Sequence, residues 1–375
     1  MIALRAAPPG SAERARIRAE LRSRYGLEFA KIKRKERLVR RGEIVAIDMS
    51  PAAARMARQM GFRWLRRKSL PVMGLRIDMW RPPAKMSLEV ALAKLQAADR
   101  DGRYELNSAF EPSGNGTMPE GALPKFAHGH FKIGMIDTGV LASHPALEEA
   151  SVAQKNFGRG EAITERDHGT AIASLLAQYG TADIKVADVF SGDAAYSDAE
   201  AIVLAMEWLA GEGVAVMNLS LAGPDSLLLE LATEKLTSKG YVIVAAVGND
   251  GPDGVARYPA AYDGVIGVTA VDNSKTILEH ANQGSFVDYA AVGVNIEAAS
   301  MDGAKPYSGT SFAVPIIAAQ LALEAKSPDP ASLMAILDLL EKRVEDLGIP
   351  GRDPVYGKGL VPRTPPEVKN SISGE

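Results

Sequence analysis

Four residues of this chain have types and neighbours that could do chemistry together. Ser311 lies in Ser308-Gly309-Thr310-Ser311-Phe312-Ala313-Val314-Pro315, a small-residue turn that runs into an apolar helix. At a helix start, unpaired backbone N–H groups and the positive end of the helix dipole favour an anion beside the hydroxyl, which suits a nucleophile. A serine alone is a weak one. It needs a base, a group to orient that base, and a donor for the oxyanion. His168 supplies an imidazole at the start of a predicted helix, in Asp167-His168-Gly169-Thr170-Ala171. Asp137 ends the apolar run 132–136 and precedes Thr138-Gly139, and Asn249 follows the apolar run 242–247 in Gly248-Asn249-Asp250-Gly251.

Each of the four also has an ordinary reading. Asn-Gly sequences make turns, serine caps helices, and a helix-start histidine is readily satisfied by local hydrogen bonds. Asp-Thr-Gly occurs in aspartic proteases, but those need two copies or a dimer, and this chain has one. What must position the four is an alternation of strand-like and helical runs: strands over 132–136, 184–189, 214–220, 242–247 and 264–270, and helices over 168–178, 199–209 and 227–238. That rhythm predicts an α/β unit with a mostly parallel sheet and helices on both faces, its function at the carboxyl ends of the strands.

Upstream, residues 43–110 read strand (43–49), helix (51–60), strands (62–65 and 73–80), helix (86–98) and strand (103–110). This β-α-β-β-α-β order predicts a small α+β, ferredoxin-like domain, a fold shared by many functions. Residues 111–127 hold three Pro and three Gly without an apolar period and read as a linker. Residues 1–41 form a basic arm in which Ile17, Leu21 and Tyr25 allow a helix or a mobile segment. The division expected is therefore an arm (1–41), a small domain (42–110), a linker (111–127), an α/β unit (128–362) and a tail (363–375).

Taken together, Ile136-Asp137-Thr138-Gly139-Val140, His168-Gly169-Thr170, Gly248-Asn249 and Gly309-Thr310-Ser311-Phe312-Ala313-Val314-Pro315 resemble the subtilisin-like serine proteases, the subtilase family, over about residues 128–362. The order Asp, His, Ser is that family's own pattern. The resemblance implies a serine endopeptidase with Ser311 as nucleophile, His168 as base, Asp137 orienting it, and Asn249 in the oxyanion hole. It implies that Ser220, Leu221, Ala222 and Gly223, with Gly248, bind substrate as an added strand, that Tyr258-Pro259-Ala260 borders the pocket for the residue before the scissile bond, and that the substrates are proteins or peptides. It further implies that residues 42–110 are a propeptide, an intramolecular inhibitor and folding aid cleaved off near residues 110–116, at the start of the 111–127 linker, so that the protein is a self-processed zymogen. A protease-like fold that holds peptides without cleaving them is the alternative. Arg257 precedes the pocket segment; turned inward it would favour acidic side chains, but snorkelling to solvent is the orientation expected.

Composition narrows the rest. With no cysteine among 375 residues, disulfides, thiolate metal sites and cysteine catalysis are excluded. No obligatory cofactor is expected: structural calcium finds no carboxylate cluster of clear ligand spacing, and the segment after His168 is too short for the calcium loop inserted there in many secreted relatives. His128 and His130 form His-x-His without partners, so no metal site is assigned to them. No run is long enough to span a membrane. Secretion or a periplasmic location is what the family suggests, although residues 1–30 show no signal peptide. Residues 1–85 carry 22 Lys and Arg against 7 Asp and Glu, the remainder 21 against 39. The two parts should attract each other, and with no nucleic-acid module beside the basic arm, nucleic acid is not an expected partner.

Overall fold

In the computed structural model of the chain, the described residues are 12–32, 35–112, 115–116, 123–126, 129–192 and 195–364. His128, most of the linker and residues 365–375 lie outside them.

The N-terminal elements are α1 (Ala12–Arg24), β1 (Leu27–Ile32), β2 (Lys35–Ile47), α2 (Pro51–Gln59), β3 (Arg63–Leu70), β4 (Leu75–Arg81), α3 (Leu88–Ala98) and β5 (Arg103–Pro112). Ser50 and Ser87 cap α2 and α3 by accepting from Ala53 N and Val90 N. The strands pair antiparallel in the order β5-β2-β4-β3, with β1 on the first half of β2. This is the ferredoxin-like order. The strand expected from residue 43 begins eight residues earlier, so the division placed at residue 41 falls inside β2. Lys35, Arg37, Arg40 and Arg41 hid the strand in a charge run, yet Leu38, Val39 and Arg40 are buried.

Next come β6 (Asn115–Gly116), β7 (His130–Asp137), β8 (Ser151–Asn156), α4 (Asp167–Ala177), β9 (Thr181–Asp188), β10 (Ser197–Asp198), α5 (Ala199–Gly211), β11 (Val216–Leu219), β12 (Leu221–Ala222), α6 (Leu227–Thr237), β13 (Val242–Ala246) and β14 (Val265–Val271). The chain ends with β15 (Tyr289–Val292), β16 (Ile296–Ser300), β17 (Gly303–Ser308), α7 (Thr310–Glu324) and α8 (Pro330–Glu341). Seven strands form a wholly parallel sheet in the order β15-β14-β13-β11-β7-β9-β8. Its central strands are buried throughout, which is why β13 and β14 read as unbroken apolar runs. On one face Ile172, Leu175, Phe312, Ile316 and Leu321 of α4 and α7 build one core; on the other, Ile202, Met206, Leu228 and Leu229 of α5 and α6 build a second.

The second core is shared. Alternate residues of the N-terminal sheet divide between two sides: Ile44, Ala46 and Trp80 pack under α2 and α3, while Val45, Ile47, Ile77 and Met79 join the core around α5 and α6. The sheet thus buries one face in its own helices and the other in the α/β unit. Part of the expected linker is also strand: Glu111 and Pro112 finish β5, and β6 pairs with β17.

Candidate active site

The parallel sheet sends strands to both sides of β7, and the four chemical residues gather at the carboxyl ends on that divide. Asp137 is the last residue of β7, and Ser220 follows β11, whose Leu219 pairs with Ile136. Asp137 is fully buried; its Oδ1 accepts from Thr138 N at 2.7 Å and meets His168 Nδ1 at 2.7 Å. A buried carboxylate on Nδ1 fixes the imidazole tautomer and ring orientation.

His168 reaches Asp137 because α4 starts hard against the turn after β7. Gly169 N donates to Thr138 Oγ1 at 2.9 Å, and a Cβ on Gly169 would stand 2.4 Å from Thr138 O. Helix propensity alone would favour alanine there by about 1 kcal/mol. The clash with backbone decides otherwise: Gly169→Ala displaces the start of α4 and, with it, His168. Because a misplacement of about 1 Å can cost about 10²-fold, kcat should fall by roughly that factor while circular dichroism still reports a folded chain. Unchanged kcat would show that α4 does not set the imidazole position.

Ser311 is the second residue of α7. Four residues on, Pro315 has no N–H to give to Ser311 O, and that carbonyl instead accepts Ser220 Oγ at 2.8 Å. In return Ser311 Oγ donates to Ser220 O at 3.0 Å, and Asn218 Nδ2 holds Ser220 Oγ at 3.0 Å. The helix start is locked to the end of β11. On its other side, Asn249 Oδ1 accepts from Thr310 N at 3.1 Å, and Gly248 N donates to Thr310 Oγ1 at 3.3 Å. With its oxygen so occupied, the Asn249 carboxamide has Nδ2 left as its donor. The His168 ring lies 5.4 Å from that of Phe312, between centroids.

Ser220, Leu221, Ala222 and Gly223 form the expected strand edge, and the chain itself covers it. Pro112 and Glu111 pair antiparallel with Leu221 and Ala222, while Phe110 and Ala109 pair with Ser197 and Asp198 of β10 on the other side. Further along, Asn115 and Gly116 pair with Ser308 and Tyr307. In the sequence, Asn218 and Pro315 are legible only as members of the 218–223 segment and the Ser311 motif, and the bonds they set are not, although a proline inside an apolar helix is a visible signal for a freed carbonyl.

Next to Asp137 in register stands Asp188, buried at the end of β9. Burial pushes its carboxyl up to about 6, against the Thr164 and Phe190 N–H groups that bind the anion, and the charge of Asp137 adds to the rise. Among the described residues no group of three or more His, Asp or Glu is placed to hold a metal ion. His130 is an exposed start of β7. No helix among the described residues is long and apolar enough to cross a membrane.

Residues 129–359 match the subtilase family, Peptidase_S8. The chain belongs to that family. This subtilase is a serine endopeptidase, and it acts on proteins or peptides. Subtilisin DY of Bacillus licheniformis is 34% identical over 250 residues, 62% of this chain and 89% of the relative. Subtilisin E of Bacillus subtilis is 32% identical over 253 residues, 62% of this chain and 64% of the relative. Among solved structures, fervidolysin from Fervidobacterium pennivorans, a keratinolytic enzyme related to subtilisin, superposes with a TM-score of 0.70 at 20% identity, covering 86% of this chain and 60% of its own. That share of the subtilase exceeds residues 129–359, so the common fold takes in part of the N-terminal sheet. A lanthipeptide protease superposes with a TM-score of 0.55 at 23% identity, covering 63% and 87%.

Proposed function

We propose that this subtilase cleaves peptide bonds through Ser311, His168 and Asp137 by way of an acyl-enzyme, and that it is made as a zymogen inhibited by its own N-terminal domain. Ser311 Oγ attacks the carbonyl carbon while His168 Nε2 takes its proton and later delivers it to the leaving amine; Asp137 holds the other ring nitrogen throughout. The tetrahedral oxyanion is received by Asn249 Nδ2 and the Ser311 N–H. Water then repeats the sequence on the ester.

The observation that carries the zymogen reading is the strand Phe110–Pro112 lying between β10 and β12, across the edge that a substrate would use. A peptide added there gains main-chain hydrogen bonds on both sides. Pro112 pairs with Leu221, one residue after Ser220, and Asn115 pairs with Ser308, three residues before Ser311, so the junction is assigned to the bonds joining residues 112–115. Intact mass and N-terminal sequencing of the active enzyme test this. A new N-terminus at 113, 114 or 115 is expected, and active enzyme that retains residue 12 would overturn processing.

Several polar contacts dock the N-terminal domain around its apolar face. Arg40 and Arg66 reach Asp198 and Glu200 at the start of α5, with Arg40 Nε 2.8 Å from Asp198 Oδ2 and Arg66 Nε 2.8 Å from Glu200 Oε1. Arg159 returns the favour, 3.1 Å from Glu43 and 2.9 Å from Asp198. Separately, Glu105 caps α6, accepting from Leu227 N at 2.9 Å, Leu228 N at 2.8 Å and Ser226 Oγ at 2.8 Å.

These contacts depend on pH in opposite senses. Burial raises Asp198, but Arg40 and Arg159 outweigh it and hold the carboxyl at about 2; its contribution to docking is present above about 4 and lost as pH falls toward 2. Burial pushes Glu105 up to about 7 despite its three donors, so the docked state holds an extra proton between about 4.5 and 7, and docking weakens as pH rises through that window. Retention of the cleaved N-terminal fragment on gel filtration should therefore be higher at pH 5 than at pH 8, by roughly tenfold or more in affinity, and Glu105→Gln should flatten the difference. Equal retention at both pH values in the wild type would remove Glu105 from this role.

A further inference from the structure

Two segments flank Ser311 and a third joins them, the walls and end of the substrate crevice that the proposed assignment implies. One wall is Ser220 to Gly223; the other is the turn through Gly248, Asn249 and Asp250. The end is closed by Arg257 and Tyr258: Gly223 N donates to Tyr258 O at 2.9 Å, Tyr258 N donates to Gly223 O at 3.0 Å, and the Arg257 side chain lies against Gly248, where a Cβ would meet its Cγ at 2.9 Å. Because Pro112 sits opposite Leu221, the next residue of any peptide in that register comes opposite Ser220, beside Ser311. Its side chain has this crevice to enter.

Arg257 does not reach solvent, contrary to the orientation expected from the sequence. Its side chain is 12% exposed, and Nε stands 3.3 Å from Asp250 Oδ2. The reason is local: Asn282 accepts from Asp250 N at 2.7 Å and donates to Val255 O at 2.9 Å, tying together the loop that would have to open. Although within ion-pair distance of Asp250, Nε is buried and makes no hydrogen bond among the described residues. The closed end thus offers a cationic donor still in need of an acceptor.

We propose that Arg257 makes this pocket selective for an acidic side chain on the residue before the scissile bond, with Asp250 as the counter-charge that the incoming carboxylate displaces. The proposal rests on the assignment of Ser311 and the 220–223 edge above. An aliphatic side chain entering would further desolvate the guanidinium and give it no acceptor, whereas a carboxylate forms a charge-assisted hydrogen bond. Asp250 is at the rim, so it can turn to water when displaced. Glutamate has the longer reach of the two acidic residues. The chain's own junction has Ser113 after Pro112; tethering raises the effective concentration of that strand, so its cleavage does not depend on pocket affinity.

Peptides identical except for Glu, Gln or Leu before the scissile bond decide the matter in the processed wild type. We expect kcat/KM for Glu to exceed both others by about tenfold or more at low salt, with the margin shrinking as salt rises. Arg257→Gln should turn the preference toward Leu, and Asp250→Asn should widen the Glu-to-Gln ratio. Equal or faster cleavage of the Leu peptide by the wild type overturns the role of Arg257 and leaves the Ser311 assignment standing. Failure to cleave any of the three overturns that assignment and the selectivity with it. The Glu-to-Gln ratio in the wild type needs no variant to fold.

Discussion

Ser311→Ala should lower kcat by about 10⁶-fold, the loss established for the corresponding serine of subtilisin itself, a member of this family. It should also leave the chain at full length over a day of incubation in which the wild type loses its N-terminal domain. The variant should fold. Among the described residues its hydroxyl makes one hydrogen bond, to Ser220 O, and deleting such a bond costs about 1 kcal/mol; alanine at a helix start introduces no clash, and the reciprocal bond from Ser220 Oγ to Ser311 O remains. Peptidase assays with intact mass would measure both effects. A Ser311→Ala chain that still cleaves peptides or itself would remove Ser311 from the reaction and the self-processing reading with it.

What the sequence showed of this site was local. Asp137 was visible because an apolar run ends on it, Ser311 because small residues run into an apolar helix, and Asn249 because it caps the most apolar strand. Strands buried on both faces cannot hide such runs, and a parallel sheet brings their ends to one edge. The elements that escaped are those whose reasons lie far away in the chain. The first half of β2 looked like a solvated basic arm because Arg40 has its partner, Asp198, 158 residues on. Glu105 gives no sign in its own strand that it caps a helix 122 residues later.

Arg257 went the other way for a similar reason. An arginine in a polar loop ordinarily extends to water; here Asn282, from a separate turn, ties the loop that holds this one against Gly248 and Asp250. The docking of the N-terminal sheet was anticipated from net charge, but charge is half of it. β4 is buried on both faces, so it has no alternation to reveal that Ile77 and Met79 serve a second core. The Arg40, Arg66 and Arg159 cluster then fixes how the apolar faces meet, since a misaligned docking would leave several charges buried and unpaired.

Asn249→Ala should lower kcat by about 10² to 10³ with KM changed little, the loss established for the oxyanion asparagine of subtilisin. Here the side chain has two tasks. Its Oδ1 holds Thr310 N, which steadies the start of α7, while in the proposed mechanism its Nδ2 donates to the oxyanion. Alanine removes both, so a fall in kcat alone does not say which matters. Asn249→Asp separates them: the carboxylate keeps an acceptor for Thr310 N but places a negative charge where the oxyanion forms. If the donor is what counts, the aspartate variant is at least as slow as the alanine variant despite an equal or higher Tm. If anchoring α7 is what counts, the aspartate restores most of kcat. The first outcome is expected, because a tetrahedral oxyanion beside a carboxylate meets repulsion where the wild type offers a hydrogen bond, and recovery by aspartate would take Asn249 out of the oxyanion hole.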